Sequence, residues 1–110
     1  MMFGFGDRRR QLLEAEVQRI AGEAATYGAL RAYLVGDLAD GRCGPDTEIE
    51  LVLVQMTDEP FHRRADFWVG HLRPRVGVRF LVYTPEEFEE LEESDLLLLG
   101  AQRTGEVLVG

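Results

Sequence analysis

Glu48 and Glu50 are the residues of this chain whose type and spacing could do chemistry. Strand side chains alternate between faces, so an i, i+2 pair points one way while Ile49, Leu51 and Leu53 point into a core. Two carboxylates on one exposed strand face can chelate a divalent ion that grips nucleotide phosphates, because Mg²⁺ is typically bound through one or two carboxylates plus the phosphates themselves. The same Glu-x-Glu is also what the wet side of any half-buried strand displays. The pair is approached through residues 36–54, GDLADGRCGPDTEIELVLV, which run from a glycine turn through an irregular loop into the strand. Gly36 permits a sharp turn where a phosphate could approach an amide, and equally marks an ordinary strand end.

The elements that must position these residues can be read on either side. Leu13, Val17, Ile20, Ala24 and Tyr27 recur at helical spacing, which predicts a helix from about Asp7, a candidate cap, to Tyr27, ended by Gly28. Leu30 to Val35 reads as a first strand. After the carboxylate strand, Glu59 and Pro60 suit a helix start, and Phe61, Ala65, Trp68 and Leu72 form an apolar stripe that Pro74 closes. Val76 to Tyr83 reads as a buried strand. Thr84, Pro85 and Glu87 then complete a capping box with proline at the first helical position. Leu96 to Leu99 predicts a further helix, capped by Ser94 or Asp95 and running to about Arg103, and Val107 to Val109 an edge strand. Any exposed part of that leucine run would be a patch for homo-oligomer formation or for a partner.

Composition narrows the function classes. With 110 residues the chain can form one core of ordinary size and leaves little room for a second, so 1–110 is expected to be one domain. The 45% apolar and 29% charged composition is globular, and no run approaches a membrane span. MMFGFG is too short for a signal peptide, which makes the cytoplasm the expected compartment. A net charge of −8 argues against free-standing nucleic-acid binding, where Lys and Arg contacts to phosphate supply most of the affinity. Residues 86–95 carry seven acids, which reads as a solvated helix face. Cys43 is the lone cysteine, so no intrachain disulfide can form, and it has no companion at metal-ligand spacing. His62 and His71 are nine apart, on different helix faces. Ser94, the sole serine, has no base placed beside it by the sequence, and the absence of lysine excludes a Schiff-base enzyme.

A glycine turn at the end of a strand, followed about ten residues later by two acids spaced i, i+2 on the next strand, resembles the signature of the minimal nucleotidyltransferases of the DNA polymerase β superfamily. The likeness extends from about Asp7 to Val109 in the order of elements, including Thr84-Pro85-Glu86-Glu87-Phe88 and the closing Gly105-Glu106-Val107-Leu108-Val109. It implies an α/β fold (α+β in some schemes) with a mixed sheet flanked by helices, nucleotide contacts at Gly36, Asp37 and Gly41, and Mg²⁺ and ATP as cofactors if the site is active. It also implies a small helical HEPN-type partner, because related members act in prokaryotic toxin and antitoxin pairs in which an active member transfers AMP to its partner.

The departures from the pattern fall on the chemistry. Asp37 stands at the family's serine and Asp40 at a usual arginine, while Gly36, Ala39 and Gly41 match. Glu48 and Glu50 occupy the two aspartate positions, and the place of the third metal-binding carboxylate, four residues before Tyr83, is Arg79. A triphosphate would therefore meet Asp37, Asp40, Glu48 and Glu50 with no lysine to offset them, and each like-charge contact near a surface costs roughly 4 kcal/mol. If Arg79 lies opposite the glutamates, its permanent cation would take the seat of Mg²⁺, keeping the acids stable while removing Lewis-acid catalysis. An early strand start at Pro45 would add Asp46 to the acid face. The sequence thus leaves three readings: a catalytically impaired, antitoxin-like nucleotide- or partner-binding module, an active Mg²⁺-dependent AMP transferase using Glu48 and Glu50, or an unrelated α/β interaction module.

Overall fold

A computed structural model describes the backbone of residues 5–91 and 106–109 and the side chains of residues 8–91. The chain runs α1 (Phe5–Ala24), β1 (Ala29–Val35), α2 (Gly36–Ala39), β2 (Ile49–Gln55), α3 (Phe61–Leu72), β3 (Val78–Tyr83), α4 (Pro85–Leu91) and β4 (Glu106–Val109). The strands form one sheet in the order β3-β2-β1-β4. β1 is antiparallel to both β2 and β4, and β2 is parallel to β3. The result is the expected mixed sheet flanked by helices, with β4 as the expected edge strand. The predicted helix through Leu96 to Arg103 lies outside the described residues, as does its cap at Ser94 or Asp95.

The sheet is covered on both faces because β1, β2 and β3 alternate between two sets of apolar residues. Ala32, Leu34, Ile49, Leu51, Leu53, Phe80 and Val82 face α1 and α3, which contribute Leu13, Val17, Ile20, Ala24, Trp68 and Leu72. Tyr33, Val35, Val52, Val54 and Tyr83 face the other way, toward Phe88 of α4. The expected wet face of the carboxylate strand is therefore dry over most of its length. Only its first residues lie beyond the cover of Phe88: Glu48 is exposed and Glu50 half-buried. No helix of the described residues is long and apolar enough to cross a membrane.

Several boundaries differ from the sequence reading, each for a local reason. α1 ends at Ala24 because the N–H groups of Thr26, Tyr27 and Gly28 bond three residues back, a tight turn that Gly28 completes at φ +103°. Asp7 lies inside α1, which starts at Phe5, so it does not hold the cap position. The loop after Gly36 begins with one helical turn, closed by Asp40 N–H to the Gly36 carbonyl at 3.1 Å. α3 stops at Leu72, before Pro74, with Arg73 left-handed at φ 47°. The stripe on α3 buries Trp68 and Leu72 but leaves Phe61 46% exposed, lying against Tyr83 with ring centroids 5.2 Å apart. The capping box forms as read: Glu87 N–H donates to Thr84 Oγ1 at 3.2 Å, and Thr84 N–H to Glu87 Oε1 at 2.9 Å.

Candidate functional site

The end of the sheet that Phe88 leaves uncovered brings together the close of β1, the start of β2 and the start of β3. Register pairs Glu50 with Val35 on one side and with Arg79 on the other. A hollow of about 210 Å³ opens there, lined by Asp37, Asp46, Thr47, Glu48, Glu50 and Arg79. A second, of about 480 Å³, shares Asp37, Asp46 and Thr47 and continues along Arg42, Cys43, Gly44 and Pro45. Of the residues singled out in the sequence, Asp37, Asp46, Glu48, Glu50 and Arg79 thus meet in one place.

Glu50 is held by geometry on both sides. An arginine nitrogen, Nη1 of Arg79, lies 3.8 Å from its Oε1, an ion pair in which Arg79 is 65% and Glu50 31% exposed. Its other oxygen fills the space where a side chain at Gly36 would begin, with Cδ only 2.9 Å from that point. Gly36 also has φ +79°, a left-handed torsion that strains any residue with a side chain, so the backbone favours glycine whatever fills the space beside it. The close approach foreseen for a phosphate is thus made here by the protein's own carboxylate.

Arg79 does not bridge both acids as the sequence reading supposed. Glu48 lies beside Gly77, the residue that extends the β2–β3 ladder by accepting the Ile49 N–H at 3.0 Å, and the Glu48 carboxylate occupies the space a Gly77 side chain would take. At this exposure the Arg79–Glu50 pair contributes roughly 0–1 kcal/mol to stability, so its consequence is electrostatic and local.

The expectation of four unopposed negative charges is corrected as well. Arg42 reaches both Asp40, with Nη2 to Oδ2 at 3.0 Å, and Asp37, at 3.6 Å. Asp46 reaches the hollow from a turn rather than from an early strand, because Thr47 N–H bonds the Gly44 carbonyl at 3.2 Å and Gly44 N–H bonds Thr47 Oγ1 at 2.8 Å. Gly41, with φ +80°, ends the α2 turn outside the smaller hollow, and its carbonyl accepts from Arg10 at 2.6 Å. Arg9 likewise donates to the Thr47 carbonyl at 2.6 Å, so the basic start of α1 ties down the loop that borders the site.

Arg8, Arg9 and Arg10 read in the sequence only as a basic start, and neither Arg42 nor Gly77 stands out there. Gly77 could have been found by carrying the Glu50–Arg79 register two residues back to Glu48. Arg42 needed the α2 turn, which returns the chain upon Asp37.

The donor set falls short of the three carboxylates that the resemblance implies for magnesium. Among the described residues no group of three His, Cys, Asp or Glu could hold a metal ion, and the half-buried acid faces a guanidinium. A divalent ion seated on Glu50 would lie against a fixed positive charge.

An open end of a mixed sheet, with a glycine turn leading to acids on the adjacent strand, is the arrangement of the nucleotidyltransferase fold. Comparison of solved structures agrees: the chain is similar to a crystal structure described as a "putative nucleotidyltransferase" from Sulfolobus solfataricus, with TM-score 0.62, 16% identity, and coverage of 81% of this chain and 82% of that one. No family model matches the sequence, and no curated protein matches it.

Proposed function

We propose that this chain is a catalytically impaired minimal nucleotidyltransferase-fold protein that acts as an antitoxin-like binding module, recognising a protein partner rather than transferring a nucleotide. The observation that carries this reading is Arg79 at the expected place of the third metal-binding carboxylate, paired with Glu50. Nucleotidyl transfer depends on a cation that neutralises phosphate charge and polarises the reacting phosphorus–oxygen bonds. A guanidinium supplies charge but no ligand-exchange site for an attacking or leaving oxygen, so it cannot take over the coordination of the reacting oxygens that a divalent ion provides. Arg42 pairs with Asp37 and Asp40, which lessens the positive charge it could offer a phosphate. The partner implied by the resemblance is a small helical HEPN-type protein. The common fold supports a nucleotidyltransferase-fold protein over an unrelated α/β module.

The alternative is an active enzyme in which Glu48 and Glu50 hold Mg²⁺ and ATP gives AMP to a protein. The two separate when the chain is mixed with a HEPN-type protein, Mg²⁺ and α-labelled ATP. The proposal expects a complex on size exclusion and no label on either protein. Label that disappears in Glu50→Ala would establish the transferase instead.

A further inference from the structure

Gly77 stands where no backbone torsion demands glycine: its φ lies outside the left-handed range, unlike those of Gly28, Gly36 and Gly41. What its missing side chain provides is room. An oxygen of Glu48 lies in the space of the absent Cβ, and Glu48 Cδ and Cγ lie 3.1 and 3.2 Å from that point. Glu48 is exposed, so burial does not hold it there. Gly77 precedes β3 and Gly36 follows β1, on opposite sides of β2, so the two carboxylates are drawn to opposite seats.

We infer that Gly77 is a positioning residue: its bare backbone seats the Glu48 carboxylate on the β3 side, apart from Glu50, and thereby keeps the two acids from converging on a cation. This inference rests on the proposed metal-free reading and extends it from Arg79 to the backbone. It means that Arg79 is not the whole of the barrier to metal. Replacing Arg79 with an acid would supply a third carboxylate while Glu48 stayed on its seat. Adding a methyl at Gly77 meets the far end of a flexible side chain, which can swing away without moving the backbone, so the Glu48 carboxylate would leave the Gly77 side of the hollow and be free to turn toward Glu50.

The test is a titration of the full chain with Mn²⁺, following the free ion by electron paramagnetic resonance. Gly77→Ala combined with Arg79→Asp is expected to bind Mn²⁺ at least about tenfold more tightly than Arg79→Asp alone, a difference of about 1.4 kcal/mol. That gain should vanish when Glu48→Ala is added. Equal affinity with and without Gly77→Ala, including no binding by either, overturns the seat. Mn²⁺ binding by the unaltered chain that is lost in Glu50→Ala overturns the Arg79 reading instead, which keeps the two failures apart. In the otherwise unaltered chain, Gly77→Ala should also shift the side-chain carboxyl ¹³C resonance of Glu48, and an unmoved resonance counts against the seat independently of Arg79.

Discussion

Arg64→Ala is expected to lower the unfolding free energy by about 3 kcal/mol in urea denaturation, the scale of leaving two carbonyls without their charged donor and losing the packing of a buried guanidinium. Arg64 is 7% exposed although it lies on a helix among exposed charges. Its Nε donates to the Glu59 carbonyl at 2.8 Å, Nη1 to the Val82 carbonyl at 3.1 Å, and both terminal nitrogens reach Glu87, Nη2 at 3.2 Å. One side chain thus joins the entry of α3, strand β3 and the first turn of α4. Glu87 is itself 40% exposed, so water screens the ionic part of the pair. Most of the loss would come from the carbonyls and from the packing of the guanidinium.

The same cluster sets a pH dependence. The Arg64 guanidinium, and then the Thr84 N–H, hold the Glu87 carboxyl below its ordinary range. A carboxyl with a depressed folded-state pKa stabilises the fold above its unfolded value, and that contribution is lost as pH falls through the folded value. The stability difference between the wild type and Arg64→Ala should therefore narrow in acid. A loss under about 1 kcal/mol that is flat with pH would mean that the cluster behaves as an exposed surface pair.

Trp68→Ala is expected to cost about 4 kcal/mol, within the range for truncating a buried aromatic. Trp68 is 0% exposed, stacks toward Phe80 with centroids 6.4 Å apart, and donates its Nε1 hydrogen to Gln55 Oε1 at 3.2 Å. Gln55 in turn donates to the Tyr27 carbonyl at 3.4 Å, so the indole anchors the end of β2 and the turn after α1 as well as filling the core. Trp68→Phe should cost less, since it keeps most of the volume and gives up mainly the hydrogen bond to Gln55. Chemical denaturation of the three proteins, followed by circular dichroism, gives the order. Near-equal stability of Trp68→Ala and the wild type would contradict a core centred on this residue.

These two residues mark the boundary of what the sequence reveals. Trp68 is legible because a buried helix face repeats at helical spacing, and the Thr84–Glu87 box because both partners lie within one turn. The opposition of Glu50 and Arg79 is legible too, since two apolar strands aligned on their hydrophobic runs leave few registers. Arg64 is not legible: its partners lie up to 23 residues away, and nothing in a charged helix segment separates the arginine that turns inward from Arg63 beside it. Arg42 stayed hidden for a related reason, because only the α2 turn brings it back to Asp37. At Phe61 the helical period was right, but the first residue of α3 overhangs the core, so periodicity alone overstates burial at an element's end. Glu48 and Glu50 were correctly set on one side of the sheet. Their separate glycine seats depend on backbone proximity, which periodicity does not carry.

If the guanidinium of Arg79 stands where catalysis would need a divalent ion, a crystal structure of the chain grown with Mg²⁺ and a non-hydrolysable ATP analogue will show it. Arg79 is expected to remain paired with Glu50, with no Mg²⁺ between Glu48 and Glu50. An ion coordinated by both glutamates, with Arg79 turned out to solvent, would contradict it.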